Sequence, residues 1–300
     1  MKVLITGASG FVGQNLIKYF KENTSIETES LSLRKKDWEE KNFDGFDAII
    51  HLAGKAHDTS NTSDPESYYW INRDFTIKLF EKFKNSNVRD FIFFSSVKAV
   101  ADVVEGILTE EIATEPYTPY GKSKQEAEIF LNNTILNEGK RIFILRPCMV
   151  HGPGNKGNLN LLYQVVEKGL PWPLASFENE RSFLSVDNLS FLVYQILDNK
   201  NLKSNTYNLA DDDFISTNEL VDLISDVLGK KSKKLKISSP IVKSLVKIGD
   251  ILPLPINSER LKKLTESYRV SNEKIKADLN ITKLPISAIE GLRRTIESFK

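Results

Sequence analysis

The chain has 300 residues, 40% hydrophobic and 27% charged, enough to bury one large core or two modest ones and unlike a disordered chain. Its 41 Lys and Arg balance 40 Asp and Glu to a net charge of +1, so it lacks the field of a general nucleic-acid or acidic-membrane binder. The single cysteine, Cys148, has no internal disulfide partner and no Cys/His cluster has zinc-site spacing, so an intracellular, metal-free protein with a small-molecule partner is expected.

In chain order, the first half alternates short apolar runs with helical patterns, the signature of strand-helix-strand units and a parallel sheet. Strands are expected at Lys2–Thr6, Ile26–Leu33, Asp47–Leu52, Asp90–Ser95 and Arg141–Arg146, each apolar enough to be covered on both faces. The opening Met1–Gly7 segment reads as a strand rather than a signal peptide, and no apolar run approaches the ~18–20 residues of a membrane span, so a cytoplasmic location is expected. Helices are predicted over Phe11–Lys21, Phe75–Asn85 and Tyr120–Asn137, the last ending at Gly139 as a left-handed cap. Beyond Pro147 the Gly152–Gly157 loop and Pro171-Trp172-Pro173 change the texture, placing a boundary near residue 150. A strand at Thr206–Leu209, a helix over Thr217–Leu228 and a helical tail around Ala288–Phe299 follow; Lys230–Lys234 reads as a solvated connection rather than a polyanion site.

Thr6-Gly7-Ala8-Ser9-Gly10-Phe11-Val12-Gly13 joins the first strand to an amphipathic helix. Gly7 permits a tight turn, Gly10 a close backbone approach to a pyrophosphate, and Gly13 close helix–strand packing, while the helix N-terminus offers free N–H groups. A dinucleotide fits there, and Ser9, Phe11 and Val12 join the glycines as cofactor contacts. The Gly-X-X-Gly-X-X-Gly spacing resembles the short-chain dehydrogenase/reductase superfamily, and the length resembles its extended branch, the NAD(P)-dependent epimerase/dehydratase family of nucleotide-sugar enzymes. That resemblance implies an α/β Rossmann fold, a doubly wound parallel sheet with a smaller mixed C-terminal domain. Residues 1–150, with return segments roughly at 184–210, would bind the dinucleotide; 151–183 and 211–300 would bind substrate. A homodimer is implied on the same ground.

Asp47–Gly54 is similar to that branch's third-strand motif, so Leu52, Ala53 and Gly54 are implied to line the cofactor, and Asn72 resembles its helix asparagine. Tyr120 and Lys124 lie four apart, on one face of the third helix. A free tyrosine has a pKa near 10, and a nearby ammonium such as that of Lys124 favours its phenolate. Pro119–Lys124 resembles the family's Tyr-X-X-X-Lys motif, which also places Tyr120 and Lys124 against the cofactor. Ser96, ending the Phe91–Ser96 strand, matches the catalytic serine that holds a substrate carbonyl while Tyr120 passes the proton. Ser95 is either a polar strand terminus or a cofactor-side contact. The family's 4,6-dehydratases carry Asp-Glu after the catalytic hydroxyl residue; Val97-Lys98 stands here, which favours reductases and epimerases.

Ser32 falls where an acid would hold the adenosine ribose, with Arg34 just beyond, a pairing that suits a 2′-phosphate, so NADP is preferred and NAD stays possible. Leu145–Gly154 resembles the family's crossing into the substrate domain, with Pro147 near the cofactor and His151 replacing a tyrosine, read as a packing substitution. By resemblance, Asn158 contacts the substrate's nucleotide diphosphate and Arg181, in Arg181–Asn188, grips it. Asp187 is expected to brace the local fold. In the late Val270–Leu279 segment Ser271 stands where an acid is usual. The preferred reading is an NADPH-dependent reductase of a UDP-linked 2-acetamido 4-keto-6-deoxy sugar in bacterial surface-polysaccharide synthesis. Alternatives are a UDP-hexose 4-epimerase with tightly bound NAD and a non-catalytic NADP-sensing regulator.

Overall fold

A computed structural model of the chain describes residues 1–34, 36–55, 64–155, 158–238, 240, 242 and 258–300. The strands are β1 (Lys2–Thr6), β2 (Glu27–Leu31), β3 (Ala48–His51), β4 (Asp90–Phe94), β5 (Ile107–Leu108) and β6 (Arg141–Pro147), then β7 (Met149–His151), β8 (Arg181–Ser185), β9 (Asn205–Leu209), β10 (Phe214–Ile215) and β11 (Arg269–Val270). The helices are α1 (Phe11–Asn23), α2 (Pro65–Tyr68), α3 (Phe75–Lys84), α4 (Pro119–Asn132) and α5 (Asn158–Glu167), then α6 (Val186–Asp198), α7 (Thr217–Val227), α8 (Ser258–Thr265), α9 (Glu273–Leu279) and α10 (Ala288–Glu297).

Six strands form a parallel sheet in the order β2-β1-β3-β4-β6-β9. Alternate side chains serve opposite faces. Val3, Ile5, Ile50 and Ile92 meet Leu16 and Phe20 of α1 and Leu189 and Leu192 of α6. Leu4, Ile49, Phe91 and Phe93 meet Leu79, Phe80 and Phe83 of α3 and Ala127 and Leu131 of α4. The apolar runs of β1, β3 and β4 thus follow from two covered faces, and the fold is the doubly wound Rossmann type. A separate core joins α5, α7 and α10 through Leu162, Ile224 and Leu292, with Phe183 of β8.

Two expectations fail locally. β2 is an edge strand with only Leu31 of its five residues buried, so it is not covered on both faces; it ends opposite Thr6, leaving Ser32 and Arg34 exposed in the following turn. α4 ends at Asn132 rather than Asn137, because Asn133 N–H bonds to Ile129 O and Thr134 Oγ1 donates to Phe130 O, satisfying the last carbonyls early. Gly139, at φ +83°, belongs to the turn before β6 instead. The lysine run is exposed, and Lys234 pairs with Asp222 at 2.7 Å.

Candidate active site

The sheet order reverses between β1 and β3, and their carboxyl ends carry the glycine turn and the Leu52–Gly54 segment. Gly7 sits at φ +72°, and a Cβ there would lie 2.6 Å from Ala53 N; one on Gly13 would lie 2.6 Å from Gly7 O. A Cβ on Gly10 would meet only Gly7 O, at 3.3 Å, so the open side of the turn is at Gly10. Gly10 is also the N-cap of α1 and makes no side-chain cap hydrogen bond, leaving first-turn N–H groups to an anion. Ser9 is exposed beside it, Phe11 and Val12 half-buried. The cradle fits a pyrophosphate.

Behind the turn runs a buried hydrogen-bond chain. Thr76 Oγ1 donates to Asn72 O at 2.7 Å, so it accepts from His51 Nε2 at 2.9 Å. His51 Nδ1 is therefore the acceptor for Thr6 Oγ1 at 2.7 Å, and Thr6 Oγ1 accepts from Ala53 N at 3.2 Å. The neutral imidazole this requires is enforced by burial and then by the Lys124 charge, which hold the pKa of His51 down at about 3. No role for His51 is apparent from sequence, although its place at the end of a buried strand is the available signal.

A π-helical turn, Tyr69–Asp74, interrupts the run from α2 to α3 and turns Asn72 into the interior. Its Nδ2 donates to Ser123 Oγ and to Lys55 O, both at 3.1 Å, and its Oδ1 accepts from Lys55 N at 2.7 Å. Asn72 therefore ties the Gly54–Lys55 backbone to α4. Thr118 caps α4 by accepting from Gly121 N at 3.2 Å, and Pro119 fills its first position. Tyr120 and Lys124 follow on one face, as their spacing requires.

Lys124 is buried; Nζ donates to Phe94 O at 2.8 Å and lies 4.7 Å from the centre of the Phe93 ring. Burial pulls its pKa down to about 8, opposed by Glu128. A Cβ on Gly54 would come within 3.1 Å of this ammonium, so glycine keeps the backbone close to it. The Tyr120 hydroxyl is hydrogen-bonded to Ser96, and burial raises its pKa while that bond lowers it. Lys124 Nζ thus lies against Gly54 and the Phe94 carbonyl, and the Tyr120 hydroxyl is held by Ser96. Ser96 caps the 3-10 turn Val97–Ala99 by accepting from Lys98 N at 3.2 Å, which leaves its proton for an oxygen at Tyr120 or on a substrate. Ser95 Oγ is buried without a hydrogen-bond partner among the described residues. Pro147 ends β6 opposite Leu209.

Arg181 opens β8 half-buried, its pKa lowered by burial with Cys148, Glu266 and Tyr268 nearby. Asn158 begins α5, but its side chain lies outside the described residues. Asp187 is half-buried and lies 3.5 Å from Arg294 of α10, and Asp211 ties the same segment together: its carboxylate accepts from Ser185 N at 3.0 Å and Asn188 Nδ2 at 2.7 Å. Fully buried His151 donates Nδ1–H to Thr295 Oγ1 at 2.9 Å and packs edge-on to Phe183, the packing role expected of it. The 3.6 Å approach of its Nε2 to Asp211 was not foreseen.

The profile of the NAD dependent epimerase/dehydratase family matches residues 3–210. The chain belongs to that family. A UDP-glucose 4-epimerase of Vibrio cholerae is 28% identical over 318 residues, covering 99% of this chain and 95% of the relative. Two solved structures share the fold at 21% identity: UDP-glucose 4-epimerase of Thermus thermophilus in complex with NAD, with TM-score 0.76 and coverage of 100% and 99%, and RMD from Pseudomonas aeruginosa complexed with NADPH, with TM-score 0.73 and coverage of 99% and 98%. The expectation of an NAD(P)-dependent enzyme of the extended short-chain dehydrogenase/reductase type stands with that membership. Among the described residues no helix is long and apolar enough to cross a membrane.

Proposed function

We propose that the protein is an NADPH-dependent reductase of a nucleotide-linked 4-keto-6-deoxy sugar, of the UDP-2-acetamido type used in bacterial surface polysaccharides. The observation that carries the reading is the hydrogen-bonded Ser96–Tyr120 pair at the sheet's carboxyl edge, followed by Val97-Lys98 rather than two acids. That set can polarise a carbonyl and protonate its oxygen without a group placed to eliminate water. A nicotinamide cofactor held at the Gly7–Gly13 turn would supply hydride to the carbonyl carbon. Ser96 Oγ donates to the carbonyl oxygen, and Tyr120 Oη transfers its proton there as the alcohol forms, while Asn72 and Lys124 hold the surrounding backbone. In this reading residues 1–150 and 184–210 bind the dinucleotide and 151–183 with 211–300 bind the sugar nucleotide, in a cytoplasmic homodimer.

NADP preference rests on Ser32 and Arg34, exposed just past the end of β2. Arg34→Asp is expected to move the ratio of NADPH to NADH dissociation constants toward NADH, read by fluorescence titration; an unmoved ratio would remove Arg34 from the 2′-phosphate. The second reading, a UDP-hexose 4-epimerase, is favoured by the relative from Vibrio cholerae. Purification without added cofactor, followed by ultraviolet and mass analysis, separates the two. The reductase is expected to emerge free of NAD and to consume NADPH with a UDP-4-keto-6-deoxy sugar. Retained NAD with interconversion of UDP-hexoses would establish the epimerase instead.

A further inference from the structure

We propose that Lys98 is a second cationic contact for the substrate, forming with Arg181 a two-cation site for the diphosphate of a nucleoside-diphosphate sugar. The inference rests on the nucleotide-sugar reading above and adds a binding residue to it.

Lys98 is tied at its backbone to the reaction centre, since its N–H is donated to Ser96 Oγ at 3.2 Å. Its side chain leaves that turn toward β8 and β11, where Nζ donates to the Asp102 carbonyl at 2.9 Å and stands 4.2 Å from the centre of the Tyr268 ring. The ammonium is half-buried and makes no ion pair with a carboxylate among the described residues. Arg181 forms an isolated β-bridge with Tyr268, whose ring Lys98 overlies, so the two cations share one neighbour and their charges oppose each other. Repulsion between two partly desolvated cations is offset by an anion that both contact.

The carboxylates near Lys98 have partners of their own. The Asp102 carboxylate is engaged by Tyr117 N at 2.8 Å and Thr118 N at 3.2 Å at the start of α4. Glu266 faces Lys262 of α8 at 3.7 Å, and Cys148 lies on the Arg181 side. Bracing of the loop does not require the ammonium either, because Tyr268 Oη already donates to Ala101 O at 2.7 Å and to Val97 O at 3.3 Å. Burial, with the repulsion from Arg181 and Lys262, outweighs the attraction of Asp102 and Glu266 and lowers the pKa of Lys98 to about 8. An anion prefers the charged form, so binding takes up a proton near pH 8 and affinity falls as pH rises through that value.

The test is calorimetric titration of the full-length chain, saturated with NADPH, with UDP and separately with GDP at pH 7, 8 and 9 in buffers of different ionisation heat. The expected wild-type result is binding of at least one diphosphate, with proton uptake near pH 8. Lys98→Met is expected to weaken that binding about tenfold or more at pH 7, as loss of a charge-assisted hydrogen bond implies, and to abolish the proton uptake. Lys98→Arg is expected to hold its affinity at pH 9, which a loop brace would not do. NADPH titration and the unfolding midpoint of each variant report folding. If Lys98→Met binds diphosphate with wild-type affinity and pH dependence, or if the wild type takes up no proton near pH 8, the lysine is a brace and the inference fails while the function stands. If neither diphosphate binds the wild type, the nucleotide-sugar reading fails first.

Discussion

Tyr120→Phe is expected to bind NADPH normally and to lose about 10²–10⁴-fold of its turnover, the usual contribution of a positioned general acid. The substitution keeps the ring that meets Tyr68 edge-on at a centroid distance of 6.3 Å, so the helix and its packing survive. It removes the hydroxyl bonded to Ser96. Since burial holds the phenol above its ordinary pKa, Tyr120 enters the reaction protonated at neutral pH, which suits donation to a carbonyl oxygen. Ser96→Ala is expected to cost less, because one hydrogen bond to the carbonyl goes and the proton donor stays. Loss of NADPH absorbance with a UDP-4-keto-6-deoxy sugar reads both, beside a cofactor titration. Near-parental turnover of Tyr120→Phe with normal NADPH binding would end the proposed mechanism.

The parts of this centre that sequence reveals are those encoded locally. Gly7, Gly10 and Gly13 share one turn, and Tyr120 and Lys124 share one helix face, so spacing alone places them. β1 falls at its expected residues because Val3, Leu4 and Ile5 face apolar neighbours on both sides of the sheet. What sequence does not reveal depends on distant partners. Nothing near Lys98 announces Tyr268, 167 residues from the Ala101 carbonyl it caps. The π-helical turn that directs Asn72 inward has no apolar period of its own, and only the bonds to Lys55 and Ser123 show what it achieves. The unforeseen brace at Asp211 has the same origin. Asp187 sits in a recognisable motif and meets Arg294, while Asp211 lies in an unremarked Asp211-Asp212-Asp213 run and is buried only because β8 and α6 close over it.

Glu128→Ala is expected to lower stability by about 3–5 kcal/mol, the cost of leaving a buried charge without its partner. Glu128 lies one turn beyond Lys124 on α4 and meets Arg146 of β6, with Nη2 2.5 Å from Oε2 and Nε 3.0 Å from both oxygens; the side chains are 3% and 7% exposed. Arg146 Nη1 has no hydrogen-bond partner among the described residues, so it cannot compensate for a lost carboxylate. By contrast the exposed Lys262–Glu266 pair is expected to contribute about 0–1 kcal/mol, and Glu266→Ala is the matched control. A loss of several kcal/mol is a large share of the roughly 5–15 kcal/mol that holds a domain folded, and the midpoint of denaturant unfolding would show it with an unchanged slope. The same carboxylate also acts on the chemistry, because its field keeps the pKa of Lys124 from falling further below about 8. Without it the ammonium loses its proton at lower pH, so the alkaline limb of the rate profile is expected to shift downward. Replacing both partners, Glu128→Leu with Arg146→Met, separates the two effects: stability should largely return, since no charge is left stranded, while the shifted limb should remain. Unfolding of Glu128→Ala at the wild-type denaturant concentration would mean that water reaches Arg146 and that the pair contributes little. Recovery of the alkaline limb in the double variant would mean that Lys124 does not depend on Glu128 for its charge.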